Sequence, residues 1–385
     1  MNKAIPDGVS DILSRLRAGG YEAYIVGGCV RDMLLGLEPH DYDVCTSALP
    51  EQMKECLSDA FRIYETGAAH GTLTVAGGGV SVECTTFRLD GEYSDSRHPD
   101  KVSYTDRLSE DLSRRDFTVN AMAMDEGGEV TDLFGGRHDL EVGTIRAVGE
   151  PKKRFEEDAL RILRALRFSS RYGFEIEEKT DAALRAGAPG LLFISRERIA
   201  SELIGIVMGR DARRISEEYL DVLSFALPSP SALEDGLVLD EVVRLASLMR
   251  ADASQVSSLK LSNKLSSAIV TLIENRERQL PRDMTSALEL LHDLGYELSV
   301  KLCEMRGDAR ALELIIQGQK SGVPYMLHSL AVNGGHLKEL GFSGARIGVL
   351  LNAALAAVMR GDVPNRKAEI LEYIKSESAD GTDAL

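Results

Sequence analysis

Apolar and polar positions follow two different rhythms along this chain. Up to about residue 146 the apolar positions come in short runs rich in β-branched residues, at 23–26, 42–45, 71–76, 80–87 and 144–148. Glycine turns separate these runs, and Gly77-Gly78-Gly79 joins two of them as a hairpin turn. Apolar residues at helical spacing predict helices between them over 29–35, 51–58 and 108–122. A short amphipathic helix opens the chain, carrying Ile5, Val9, Ile12, Leu13 and Leu16 on one face.

After Pro151 the strand rhythm stops. Helices are expected over 158–171, 179–186, 196–208, 216–223, 237–249, 259–276, 285–295 and 308–317, and a last helical module over 329–376. The small polar tail from 378 to 385 is expected to be disordered. The pattern defines an α+β protein, a mixed sheet with helices followed by an all-helical remainder. Its expected modules are a head over 1–148, a neck over 149–210, a body over 211–328 and a tail over 329–385.

Composition narrows the class. Hydrophobic residues make up 44% and charged residues 28%, the balance of a globular protein with buried cores. No apolar run reaches the roughly 20 residues needed to cross a bilayer, so no membrane partner is expected. Asp7 and Asp11 interrupt the first 20 residues, which therefore do not read as a signal peptide. Five cysteines without a CxxC pair argue against a disulfide framework or a zinc site, and fit the reducing cytoplasm.

The net charge of −16 works against a polyanionic substrate unless basic residues are locally concentrated. One region concentrates them: Arg146, Lys152, Lys153, Arg154, Arg161, Arg164, Arg167 and Arg171 have only Glu150, Glu156, Glu157 and Asp158 among them. That region is either a solvated helix face or a phosphate-binding one, and charge alone does not choose.

Three constellations carry chemistry. The first is Gly27-Gly28-Cys29-Val30-Arg31-Asp32, directly after the strand 23–26 and followed by Asp41-Tyr42-Asp43. Two glycines between a strand and a helix let backbone N–H groups approach a triphosphate, and Arg31 would add a charged fork for its oxygens. Asp41 and Asp43, two apart in an extended segment, share one face of the strand. Such a pair suits Mg²⁺, which prefers carboxylates together with substrate phosphates. Each feature alone reads as an ordinary turn or cap; their order and spacing together favour a nucleotidyl-transfer site.

The second constellation is Arg114-Arg115-Asp116-Phe117, leading into the apolar segment 117–123. The arginines either grip a triphosphate or ribose or simply open a charged helix, with Asp116 then no more than its cap. The third is Glu157-Asp158-Ala159-Leu160-Arg161, continuing through Arg164 and Arg167. Helical spacing would put Asp158, Arg161 and Arg164 on neighbouring turns of one face. Cytosine and adenine both present an amine donor beside a ring-nitrogen acceptor, whereas uracil and guanine reverse that order. A carboxylate beside a guanidinium complements the first pattern and leaves buried polar groups unsatisfied against the second, at about 1–3 kcal/mol each. One Asp–Arg pair thus selects C and A without a nucleic-acid template. His292-Asp293 has no partners elsewhere for a metal phosphohydrolase site and reads as a helix residue and its neighbour.

The segments 27–32, 41–43, 114–123, 157–161 and 195–199 resemble, in order, the motifs of class II tRNA nucleotidyltransferases and their poly(A) polymerase relatives. The resemblance covers about the first half of the chain, with weaker similarity over 329–365. It implies a polymerase-β-like head followed by helical neck, body and tail, acting on the tRNA 3′ end with CTP and ATP and no obligate protein partner. By the same resemblance Asp41 and Asp43 bind the Mg²⁺ ions, while Gly28, Arg31 and Arg115 hold the nucleotide. Asp158 and Arg161 read the base, with Arg164 and Arg167 beside them. Glu83 is the first candidate for a third carboxylate, and Asp116 competes with it. The stretch 90–99 resembles the loop that this family needs for adding the terminal A. The expected activity is addition of C, C and A; A-only addition or poly(A) polymerisation is the alternative.

Overall fold

The computed structural model describes residues 5–90 and 102–380, which divide into two compact units, Met1–Pro228 and Ser229–Leu385. Most of the stretch likened to the A-adding loop, and residues 381–385 of the tail, lie outside the described residues.

The first unit is built on a seven-stranded mixed sheet. Its strands β1 (Ala23–Val26), β2 (Asp43–Thr46), β3 (Arg62–Gly67), β4 (Thr72–Gly77) and β5 (Val80–Thr86) precede a two-stranded ribbon, β6 (Arg88–Asp90) with β7 (Val102–Tyr104). Strands β8 (Met122–Met124) and β9 (Val130–Asp132) complete the order β3-β4-β5-β2-β1-β8-β9. Only the β2–β5 contact is parallel; the other pairs are antiparallel. At the β4–β5 hairpin, Gly78 (φ 57°) and Gly79 (φ 80°) both take left-handed backbone, the geometry of a tight primed turn.

Helix α1 (Asp7–Ala18) buries Val9, Ile12, Leu13 and Leu16, the face read from its spacing. Helices α2 (Gly28–Leu34), α3 (Pro50–Leu57), α4 (Leu108–Ser113) and α5 (Gly136–Val142) surround the sheet. Val26, Cys45, Phe87, Leu112 and Ala123 form a core beneath the site, with Tyr24, Leu108 and Phe134 packed against it. The short strand β10 (Thr144–Ile145) pairs in parallel with β11 (Glu175–Ile176). Helices α6 (Pro151–Glu157), α7 (Leu160–Tyr172), α8 (Glu178–Gly187), α9 (Arg196–Val207), α10 (Ala212–Glu218) and α11 (Leu220–Ala226) follow, and α7 packs on α9.

The second unit is helical. It holds α12 (Glu241–Leu248), α13 (Gln255–Ser258), α14 (Asn263–Glu274), α15 (Met284–Met305), α16 (Ala309–Lys320), α17 (Gly334–Glu339), α18 (Ala345–Arg360) and α19 (Lys367–Asp380). Gly295, at φ 73°, breaks α15 where the sequence pattern ends its helix. Nδ1 of His292 lies 2.7 Å from the carbonyl of Tyr325, so this histidine is a helix residue engaged with the backbone. No helix among the described residues is long and apolar enough to cross a membrane.

Three expectations fail for physical reasons. The helix expected over 108–122 stops at Ser113; residues 118–120 form a 3₁₀ turn, and β8 follows between β1 and β9. Residues 116–124 are all buried, so they carry no one-sided stripe from which to read a period. The helix expected over 216–223 is two helices meeting at Tyr219, which is non-helical (φ −115°, ψ 28°). The tail expected to be disordered from 378 remains helical to Asp380.

Candidate active site

The site begins where β1 ends. Gly27 turns at φ 82°, ψ −128°, a conformation essentially restricted to glycine, and its N–H donates to the Met122 carbonyl at 3.2 Å. A Cβ at Gly27 would lie 3.1 Å from Nη1 of Arg115. The turn therefore brings bare backbone against an arginine that a side chain would have to push aside. Gly27→Ala is expected to cost about 1–3 kcal/mol of stability through backbone strain and to weaken nucleotide binding by displacing Arg115. Unfolding and CTP-binding titrations check both; unchanged CTP affinity would separate the turn from the site. Cys29, beside the turn, is 2% exposed, and burial pushes its thiol up to about 11, so it packs as a thiol.

Asp41 and Asp43 stand at the entrance to β2, both exposed. The parallel register of β2 with β5 sets Asp43 opposite Glu83. Though open to water on one side, Asp43 is crowded by protein on the others. This crowding, then the charges of Asp41 and Glu83, push its carboxyl up to about 6 against the pull of Arg115. Asp43 thus stands between two like charges at the rim of the sheet where the central strand β2 begins, an arrangement that a divalent cation would relieve. Among the described residues no three His, Cys, Asp or Glu side chains form a ready-made metal cage. A cation held here would need further oxygens from phosphate and water. The donor chemistry suits magnesium.

Arg115 faces this edge from the segment after α4. Its Nη2 donates to Asp111 at 3.2 Å, and its buried Nε has no hydrogen-bond partner among the described residues. Burial alone would raise the Asp111 carboxyl, but Arg114 and Arg115 outweigh it and hold it low. Asp116 turns its carboxylate to other partners. It is 8% exposed; one oxygen accepts from Arg164 at 2.8 and 2.6 Å, the other from the Phe117 N–H and the Asn120 amide. Burial would raise this carboxyl too, yet Arg164 and Asn120 bring it to about 2. Of the two candidates for a third carboxylate, only Glu83 lies at the Asp43 edge.

Arg31 does not lie open to phosphate as expected. It is 5% exposed, pairs with Asp32, donates to Asn120 and lies over the rings of Phe168 and Tyr172 at 5.2 and 4.9 Å. The Tyr172 hydroxyl in turn donates to Asp32 at 3.0 Å. Arg31 thus ties the helix after the glycine turn to α7.

Asp158 also departs from its expected place. It sits in extended backbone (φ −148°, ψ 103°) between α6 and α7, so it shares no helical face with Arg161 and Arg164. Its carboxylate accepts from the Leu160 N–H at 3.0 Å and from Arg198 Nη2 at 2.7 Å. Arg161 instead donates to Glu157 at 2.7 Å and to the carbonyls of Arg154 and Arg114, each at 3.2 Å. Arg164 goes to Asp116, and Arg167 to Glu202 at 2.6 Å while lying over the Phe168 ring. The arginines that looked short of acidic partners find them on other elements. Arg198 and Glu202, four apart on α9, were legible as one helix face; nothing in the sequence aims that face at α7.

This sheet, glycine turn and carboxylate edge define a nucleotidyltransferase head. The family model of the Poly A polymerase head domain matches residues 23–146, and that of the probable RNA and SrmB-binding site of polymerase A matches 173–221. The CCA-adding enzyme of Lactobacillus delbrueckii subsp. bulgaricus is 37% identical over 94% of this chain and 96% of its own length. That of Lactiplantibacillus plantarum is 34% identical over 94% of each. The crystal structure of the Bacillus stearothermophilus CCA-adding enzyme in complex with CTP superposes with a TM-score of 0.84, at 31% identity and 97% coverage of both chains. The chain belongs to the family of CCA-adding enzymes.

Proposed function

We propose that this protein adds C, C and A to the 3′ end of tRNA, drawing on CTP and ATP and using no nucleic-acid template. The reaction joins the terminal 3′-oxygen to the α-phosphorus of the nucleotide. The bond to the β-phosphate oxygen breaks, pyrophosphate leaves, and the hydroxyl proton passes to solvent. The observation that carries this reading is the Asp43–Glu83 pairing, with Asp41 two residues away and Arg115 opposing their charge.

Asp41 and Asp43 would hold two magnesium ions, with Glu83 as the third carboxylate. When bound, these ions lower the pKa of the attacking hydroxyl and offset charge on the departing pyrophosphate. Gly28, through its backbone, and Arg115 hold the triphosphate. Asp158 and Arg161 read the base by the donor–acceptor order that cytosine and adenine share. Arg31, Arg164 and Arg167 act one step back, fixing α2 and α7 around the nucleotide through Asp32, Asp116 and Glu202. We assign residues 1–148 to the head, 149–210 to the base-reading neck, 211–328 to the body and 329–385 to a tRNA-binding tail. The five free cysteines suit a cytoplasmic enzyme.

The test is nucleotide addition to tRNA lacking its 3′ end. CTP alone should extend it by two residues, and CTP with ATP by three. Incorporation of A alone, and only on CC-ended tRNA, would replace this reading with that of an A-adding enzyme.

A further inference from the structure

The base-reading turn and the triphosphate arginine are joined by side chains to which no role is yet assigned. Arg154, on α6, donates through Nη1 to the Ser113 carbonyl at the end of α4 and through Nη2 to Glu157. Glu157 uses its other oxygen to hold Arg161 at 2.7 Å. Arg161 completes the bracket, since its Nη2 donates to the Arg114 carbonyl at 3.2 Å. That carbonyl belongs to the peptide linking Arg114 to Arg115. The side chains of Arg154, Glu157 and Arg161 are only 11–13% exposed, so these charged bonds are little weakened by water or salt.

We propose that Arg154 and Glu157 are positioning residues that make the hold on the triphosphate depend on the identity of the base. The inference rests on Asp158 and Arg161 reading that base. A base of the C or A pattern engages Arg161 without drawing it from Glu157 and the Arg114 carbonyl. The peptide before Arg115 then stays in place, and Arg115 meets the phosphates. A base of the U or G pattern leaves Arg161 mismatched and slackens the same peptide. Part of the discrimination therefore appears in kcat, and the bracket transmits it.

The test compares Arg154→Lys and Glu157→Gln with the parent protein, measuring kcat and KM for CTP and for UTP on truncated tRNA. Each variant removes or weakens a charge-assisted bond while keeping most of the side-chain volume. Both should lower kcat for CTP by about tenfold with KM changed less than about threefold, leaving the slow UTP reaction within about twofold. Equal losses for both nucleotides, or no loss, would overturn the coupling, the first by reducing the bracket to a structural support. If one variant fails to fold, the other still decides. Arg161→Ala and Asp158→Ala separate the two levels. Should both leave the preference for CTP over UTP intact, the base-reading assignment itself has failed. Should they abolish that preference while Arg154→Lys and Glu157→Gln leave the ratio of CTP to UTP rates unchanged, only the coupling is wrong.

Discussion

Asp43→Ala is expected to abolish nucleotide transfer while tRNA binding stays within about twofold of the parent. On the proposed assignment Asp43 faces both a metal and its partner carboxylates, so its removal dismantles the cation site. Metal stabilisation of transferring phosphoryl charge is worth several kcal/mol. At about 1.4 kcal/mol per tenfold, the rate should fall by roughly a thousandfold or more. Asp43→Asn makes the control, since it keeps the shape of β2 and removes only the charge. It should be as inactive as the alanine variant. The carboxyl is already pushed up, first by burial and then by the charges of Asp41 and Glu83, so neutralising it removes a charge that is costly there and should not lower the melting temperature without metal. Single-turnover incorporation, with tRNA affinity measured in parallel, checks both statements. Transfer near the parent rate would end the metal assignment.

Asp158→Ala should relax the choice among nucleotides far more than it weakens tRNA binding. On the proposed assignment the carboxylate supplies the acceptor for the exocyclic amine of C or A, and without it one buried group on the correct base loses its partner. At about 1–3 kcal/mol for such a group, discrimination against UTP and GTP should fall by roughly 5- to 100-fold. The residue also accepts from the Leu160 N–H at the start of α7, so the alanine variant should lose about 1 kcal/mol of stability as well. Asp158→Asn separates these effects: its side-chain oxygen can still cap the helix, while its amide puts a donor where an acceptor stood. It should therefore keep most of the stability and still lose the preference for C and A. Incorporation kinetics with each of the four nucleotides would show this, and unchanged rejection of UTP and GTP by both variants would remove the protein template.

The sequence exposed those parts of the molecule whose physics is local. Strand β1, the triple-glycine hairpin and α1 were legible because a period or a turn chemistry is written within a few residues. Asp41 and Asp43 were visible for the same reason, as two carboxylates on one side of an extended segment. Glu83 could be named only as a candidate through the family resemblance, because its place opposite Asp43 is a property of the β2–β5 register, which joins residues 40 apart in the chain. Strand β8 escaped notice because the apolar segment 117–123 is buried on every side and shows no alternation, and β9 because it is only three half-buried residues long.

The arginine partners form a similar case. Spacing along a helix suggested that Asp158 faces Arg161 and Arg164, but the chain leaves helical backbone at Asp158 and turns it toward Arg198. Arg164 finds Asp116, 48 positions earlier, and Arg31 finds Asn120, 89 positions later. Charges on α7 were countable in the sequence, whereas the carboxylates that answer them come from α6, from the segment after α4 and from α9.

The most direct measurement is anomalous diffraction from crystals grown with Mn²⁺ and CTP. Manganese should appear within coordinating distance of the carboxylate oxygens of Asp41 and Asp43, bridging them to the triphosphate beside Gly27 and Arg115. Manganese and triphosphate bound elsewhere, with both aspartates turned away, would contradict the site.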